Sequence, residues 1–155
     1  QLDDSLMQKN LHARLALTEK KYLVNVSVKV LDGRIFLRGK VDKPEEKLKI
    51  TKLAWETKGA RSVKNNITIK EKFSFKNTAK DVLITSQLRV ALVLNKNVQA
   101  SNFNIDTINQ KTYVFGIAHT KEEKKAIIEE SKQISDMKVL ITSILMASDL
   151  SRYKE

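Results

Sequence analysis

The chain has 155 residues, and its hydrophobic content of 41% is enough for a folded core, which excludes an intrinsically disordered protein. It has no run of 18 apolar residues, which argues against a membrane-spanning helix, and no cysteine, which excludes disulfides and thiolate chemistry. The net charge of +11 is uneven, because residues 1–70 carry +8 and residues 79–155 only +2. This charge favours nucleic acid or anionic lipid as a partner, or serves solubility alone.

The first 70 residues predict a helix, two strands, a second helix and a third strand. Asp3-Asp4 caps a helix that continues to about Lys20, with acidic residues favourably at its amino end. Hydrophobic residues then alternate with polar ones from Val26 to Val30, as in a half-buried strand, and Asp32-Gly33 is a typical hairpin turn pair. A second strand follows from Ile35 to Val41.

The second helix of this segment opens at Pro44-Glu45-Glu46, with proline early and acidic residues in the first turn. Gly59 is a plausible stop after it. A third strand alternates from Val63 to Ile69. The inward side of the helix is predicted to consist of Ile50, Leu53, Ala54 and Thr57.

The chain repeats itself at an offset of 77 residues, without a gap as far as Ile67 and its counterpart Ile144. Asp4 matches Asp81, Gly39 matches Gly116, and Glu46-Lys47 matches Glu123-Lys124. The repeat predicts an α+β fold of two αββαβ units, each a three-stranded mixed sheet packed on two helices.

In the second copy we expect helices at Lys80–Leu94 and about Lys121–Ser135, with Asn109-Gln110 as a weaker hairpin turn. The strands are expected at about Asn102–Thr107, Thr112–Ile117 and Val139–Met146. The predicted boundaries are 3–70 for the first domain, 71–78 for a connector, 79–147 for the second domain and 148–155 for a frayed polar tail. Phe73 and Phe75 predict that the connector is packed between the units.

The helix predicted within Lys80–Lys96 is apolar nearly all the way round. At ~100° per residue, one side carries Ile84, Leu88, Ala91 and Leu92, the spacing of a core face. The roughly opposite side carries Leu83, Val90, Val93 and Leu94. A small domain needs only the first stripe. The second stripe therefore covers the other unit, a partner chain or a lipid surface.

A competing surface lies on the second helix of the first copy, where Leu48 and Trp55 point away from the predicted inward side, beside Lys49 and Lys52. An outward tryptophan beside lysines is typical of a membrane-interface anchor, although Trp55 packing on the other unit is the interpretation we favour. His12 and His119 have no partner at metal-binding or catalytic spacing. We expect no enzyme, metal or cofactor.

The run DGRIFLRGKVDKPEEKLKITKLAWETKGARSVKNNITI resembles a BON domain. The second copy, with DVLITSQLRVALV, the strand pair around Gly116 and ITSILMAS, is similar to the second domain of tandem BON-domain lipoproteins of Gram-negative envelopes. The resemblance implies a periplasmic stress-response protein that supports envelope integrity. It also implies attachment to the outer membrane through a lipidated cysteine upstream of Gln1.

The resemblance further implies anionic-phospholipid binding through the first helix of the second domain, where Leu83 stands in place of an inserted aromatic residue. The predicted lipid-binding residues are Lys80, Leu83, Ser86, Gln87, Arg89, Val90, Val93, Leu94 and Lys96.

Two other functions remain open from the residues. The outward stripe or the Phe73/Phe75 segment can dock a protein, including an outer-membrane protein, as a scaffold of the envelope does. The basic charge makes nucleic-acid binding the main alternative function. However, Lys58-Gly59-Ala60-Arg61 is not the GXXG loop of a KH domain, and with 6% aromatic residues the chain has few side chains that could stack on bases. We expect no nucleic-acid partner, and the oligomeric state stays open.

Overall fold

The computed structural model describes residues 3–70 and 78–150. The chain divides between Lys70 and Glu71 into two compact units, which are described separately. The connector residues 71–77, with Phe73 and Phe75, lie outside the described residues, as do residues 151–155 of the predicted tail.

The first unit has the predicted order of elements, with one short helix added. Its sheet is mixed, since β1 pairs antiparallel with β2, and β2 pairs parallel with β3. The added helix α2 is a single turn, which is too short to show a helical period in the sequence. The elements are α1 (Asp4–Thr18), α2 (Tyr22–Asn25), β1 (Val26–Leu31), β2 (Arg34–Val41), α3 (Pro44–Trp55) and β3 (Ser62–Ile69).

The second unit repeats this topology, with strand order β4-β5-β6 and the same antiparallel and parallel pairs. A 3-10 turn at Ala100–Asn102 replaces the short helix. The elements are α4 (Thr78–Leu94), β4 (Phe103–Ile108), β5 (Lys111–Ala118), α5 (Lys121–Lys132) and β6 (Val139–Met146). The predicted α+β fold of two αββαβ units with three-stranded mixed sheets is confirmed.

Each unit has its own hydrophobic core between one sheet face and two helices. In the first unit Leu11 and Leu15 of α1 are fully buried, as is Ile50 of α3. In the second unit α4 contributes Leu88 and Leu92 to a cluster with side chains of all three strands and of α5. The predicted core face of α4 is confirmed, because Ile84, Leu88 and Leu92 are all 0% exposed and Ala91 is half-buried.

The repeated glycines Gly39 and Gly116 are required by a close backbone approach. A Cβ atom on Gly39 would lie 1.9 Å from the carbonyl oxygen of Asn25, and one on Gly116 would lie 2.0 Å from that of Asn102. Neither contact is possible for a real side chain, so each β2 or β5 glycine lets its strand pass the start of the preceding one.

One predicted helix end is wrong. Helix α5 ends at Lys132, three residues before the predicted Ser135, and Gln133 is its C-cap residue. Within the predicted tail, Asp149 belongs to the 3-10 turn Ala147–Asp149 and Leu150 is only 3% exposed, so these two residues are not frayed. The apolar Leu150 side chain holds this end of the chain against the fold.

Candidate functional site

The outward side of α4 is an exposed apolar surface. Leu83, Val90, Val93 and Leu94 are 48%, 57%, 63% and 76% exposed, although Ile84, Leu88 and Leu92 on the opposite side of the same helix are fully buried. Val82, at 58% exposed, extends the surface and was not in the predicted set. We call these five residues the α4 flank. Exposed aliphatic side chains gathered along one helix are typical of an interaction surface.

The predicted polar residues surround this flank. Lys80, Ser86, Gln87 and Lys96 are exposed, with Lys80 in the first turn of α4 and Lys96 just past its end. Arg89 differs, because it is half-buried and its guanidinium donates to the carbonyl oxygen of Phe103 at 3.4 Å. Two exposed lysines therefore frame the flank, and Arg89 lies at its border.

The first turn of α4 is fixed to the hairpin turn of its sheet by one carboxylate. Asp81 accepts hydrogen bonds from the backbone N–H groups of Asn109 and Gln110, both at 2.8 Å. These turn residues have φ angles of 52° and 65°, although neither is glycine. The carboxylate thus stabilises a turn whose sequence is unfavourable for it.

The same contact occurs in the first unit, where Asp4 accepts from the N–H groups of Asp32 and Gly33 at 2.7 and 3.0 Å. Sequence reasoning assigned Asp4 to helix capping and missed this role. The match of Asp4 with Asp81 in the repeat was the signal that could have revealed it.

The rest of α4 is held by two further polar contacts. The hydroxyl of Thr85 donates to that of Thr107 on β4 at 2.8 Å, and the side-chain amide of Asn95 donates to Glu130 of α5 at 3.0 Å. With its core side packed and its two ends bonded, α4 presents the flank on a fixed helix.

A repeated glutamate joins helix α3 of the first unit and helix α5 of the second unit to the chain before them. Glu123, only 4% exposed, accepts from the backbone N–H groups of Gln99 and His119 at 2.7 and 2.8 Å. Its counterpart Glu46 accepts from the N–H groups of Asp42 and Lys43 at 2.9 and 3.0 Å. Both glutamates stand at the third helical position, as in a capping box.

Glu46 has two further donors, the phenol of Tyr22 at 2.7 Å and the ammonium of Lys21 at 2.8 Å. Burial by itself would raise the pKa of Glu46, but these donors and the two backbone N–H groups outweigh it and lower the pKa to about 2. Burial, followed by the bond to Glu46, raises the pKa of Tyr22. The ionised carboxylate is therefore strongly favoured in the fold.

An open cleft of about 580 Å³ lies beside the end of the flank, lined among others by Val93, Lys96, His119 and Thr120. The Glu123 carboxylate also lines it, and an acidic group in the wall makes this cleft a poor site for a phosphate group.

On the competing surface of α3, Trp55 is only 3% exposed, so it is a packed side chain and not an outward membrane anchor. Lys47 and Thr51 are also buried and precede Trp55 at helical spacing, so the buried side of α3 is wider than its apolar residues indicate. Thr51 satisfies its hydroxyl by donating to the Lys47 carbonyl and accepting from Asn65. The other members of that surface are the half-buried Leu48 and the exposed Lys49 and Lys52.

Within residues 3–70 and 78–150, no three His, Asp or Glu side chains are grouped so that they could hold a metal ion. No helix in the described part of the chain is long and apolar enough to cross a bilayer.

Comparison with known proteins agrees with this architecture. The family model of the BON domain matches residues 3–71. A protein of Anaplasma centrale described as an uncharacterized protein in the gshII 5' region is 30% identical over 121 residues, which cover 77% of this chain and 80% of the relative. The chain belongs to the BON-domain family. The family model covers only the first unit. The second unit is BON-like because it repeats the topology of the first.

Two further likenesses are more distant. The outer membrane lipoprotein DolP of Haemophilus influenzae is 27% identical over 110 residues, covering 71% of this chain and 56% of DolP, little more than half its length. A structure of CdsD, a structural protein of the type III secretion system of Chlamydia trachomatis, covers 94% of this chain and 64% of its own at 14% identity, with a TM-score of 0.36.

Proposed function

We propose that this BON-domain protein is a non-catalytic envelope protein that binds an anionic phospholipid surface through the α4 flank. The observation that carries the proposal is the 48–76% exposure of the four predicted flank side chains. Support for the envelope comes from the name of the relative DolP, an outer membrane lipoprotein. By the same likeness we propose the periplasmic side of the outer membrane as its location.

The energy available from the flank is adequate for reversible membrane binding. Full burial of one Val or Leu side chain is worth about 1.5–3 kcal/mol, so partial insertion of Leu83, Val90 and Leu94 gives several kcal/mol. Lys80 and Lys96 add about 1 kcal/mol each near an anionic surface. These contributions match a helix lying in the headgroup layer, with apolar side chains below and ammonium groups at the phosphates.

The leucine at position 83 determines how strongly we expect the chain to bind a membrane. Leu83 can be buried in acyl chains, but it lacks the preference of tryptophan for the interface between chains and headgroups. We therefore expect binding that depends on the whole flank and on anionic lipid together.

The test is co-sedimentation of the whole chain with vesicles of phosphatidylglycerol and phosphatidylcholine, compared with phosphatidylcholine alone. Val90→Asp places a charge in the middle of the flank and should weaken binding about tenfold, the effect of about 1.4 kcal/mol. Ser135→Asp is the matched control, because Ser135 is exposed in the same unit outside α4 and the charge change is identical.

Equal loss in both variants would show that net charge alone drives binding and would contradict the role of the flank. If neither the wild type nor the variants sediment with either kind of vesicle, the result would favour the scaffold function, in which a protein covers the flank. Nucleic-acid binding would instead depend on Lys and Arg in residues 1–70 and fall steeply with salt.

A further inference from the structure

The first unit also exposes apolar side chains, at the end of α1 and on α2. Leu17 in the last turn of α1 is 87% exposed, and Leu23 and Val24 on α2 are 56% and 86% exposed. All three fall within eight residues of the chain, and α1 and α2 pack on each other. Such exposure of three large aliphatic side chains at one end of a unit requires an explanation.

The orientation of α2 is fixed by Tyr22. Its ring is 0% exposed, and its hydroxyl donates to Glu46. At about 100° per residue, a buried Tyr22 turns Val24 to the opposite, outward side of this single helical turn. The ammonium of Lys21 is bonded to the same carboxylate at 2.8 Å, so two consecutive side chains hold α2 in place.

The second unit has no equivalent of this surface. At the offset of 77, Ala100 and Ser101 stand where Leu23 and Val24 stand, and they belong to a 3-10 turn. Gln99 replaces Tyr22 and bonds to Glu123 through its backbone N–H group. Only Leu17 has an exposed apolar counterpart, Leu94, which is 76% exposed.

The distribution of charge between the two units indicates which kind of partner covers this surface. Residues 3–70 carry a net charge of +8, and residues 78–150 carry +1. Lys20, next to the apolar residues, is exposed and has no ion pair within the described residues, whereas Lys21 is paired with Glu46. An acidic surface is therefore attracted chiefly by the first unit, although the α4 flank lies on the second.

We propose that Leu17, Lys20, Leu23 and Val24 form a second membrane-contact surface, which binds anionic phospholipid, so that the chain holds a bilayer through both units. The identity of the lipid partner rests on the proposed function, but the surface itself is independent of α4. Two linked contacts can strengthen binding by about 10²–10⁴ over either alone, without any tight single site. In this arrangement the first unit supplies most of the positive charge that attracts the bilayer, and the second unit supplies the larger apolar surface.

The experiment uses the absence of cysteine from the chain, which allows one environment-sensitive fluorophore (NBD) to be attached at a chosen position. Labels on Val24→Cys, Val90→Cys and Lys64→Cys are compared in the whole chain with and without phosphatidylglycerol-containing vesicles. Lys64 is the control, since it is exposed on β3 of the first unit, away from α1 and α2. We expect a blue shift and at least a twofold increase of emission at position 24, and no change at position 64.

The outcomes separate the two proposals. A response at position 90 with none at position 24 overturns the second surface and leaves the proposed function intact. A response at position 24 with none at position 90 supports the second surface and removes the role of α4. A blue shift at position 24 without vesicles that grows with protein concentration means that a protein covers the surface, which overturns the proposal.

A charge-neutral variant provides the affinity test. Combined Leu17→Ser, Leu23→Ser and Val24→Ser changes only exposed side chains, so the circular dichroism spectrum should match wild type, while vesicle binding should fall at least tenfold. Unchanged binding by the folded variant would overturn the second surface.

Discussion

Removal of the Asp81 carboxylate should loosen the link between α4 and its sheet. Asp81→Ala deletes both acceptors of the Asn109 and Gln110 N–H groups, each bonded at 2.8 Å. A hydrogen bond to a charged group contributes about 1.5–3 kcal/mol, and the low end is used because Asn109 is exposed and Asp81 is only half-buried. We therefore expect a loss of about 3 kcal/mol from the stability of the second unit, and about half of that for Asp81→Asn, which keeps one carbonyl oxygen.

Amide hydrogen exchange followed by NMR is the suitable assay, because a two-unit chain need not unfold in one step and each amide reports its own unit. In Asp81→Ala the amides of Asn109 and Gln110 should exchange faster, with little change in the first unit. Asp4→Ala is the matched control and should accelerate exchange at Asp32 and Gly33 instead, since it removes the equivalent bonds. Unaltered exchange at Asn109 and Gln110, or a cost below about 0.5 kcal/mol, would refute the role of the carboxylate.

Three other predictions concern the glutamate, the repeated glycine and Leu83. The pKa of Glu46 is about 2 in the fold against an ordinary 4.5, so its stabilisation should be complete above about pH 5 and lost as pH falls toward 2. Glu46→Gln should cost about 2 kcal/mol at neutral pH and flatten this acid dependence, measured by urea unfolding with Trp55 fluorescence; parallel pH curves would contradict it. Gly116→Ala should destabilise the second unit by at least about 2 kcal/mol in thermal unfolding, because its Cβ meets the Asn102 carbonyl, and a neutral effect would be inconsistent with that contact. Leu83→Trp should tighten vesicle binding several-fold, and weaker binding would count against interfacial insertion of α4.

The repeat made most of the fold predictable. Once Asp4, Gly39 and Glu46 were matched to residues 77 positions later, the order of helices and strands along each unit and the core face of α4 followed from hydrophobic periodicity. Periodicity could not reveal α2, because four residues are too few for a helical pattern, and it misplaced Trp55, because polar Lys47 and Thr51 share its buried side.

The candidate site was predictable only in part. The surplus of apolar residues on α4 could be read from the sequence, and Val82 was missed because it lies at the edge of that surface. The tertiary bonds of Asp81 and Glu123 were not predicted, since a carboxylate that caps a local helix and one that reaches a distant turn have the same sequence signature. The bond from Arg89 to a β4 carbonyl required coordinates for the same reason.

Paramagnetic broadening tests the membrane role of α4 most directly, because it requires no substitution. The isotopically labelled chain is mixed with anionic bicelles that carry a nitroxide-labelled lipid, and the loss of each amide NMR signal is compared with that in unlabelled bicelles. The proposed function predicts strong broadening at Leu83, Val90 and Leu94, which are 48–76% exposed, and little at Ser135. Broadening confined to other parts of the chain, or equal broadening at Ser135 and Val90, would contradict lipid binding through α4.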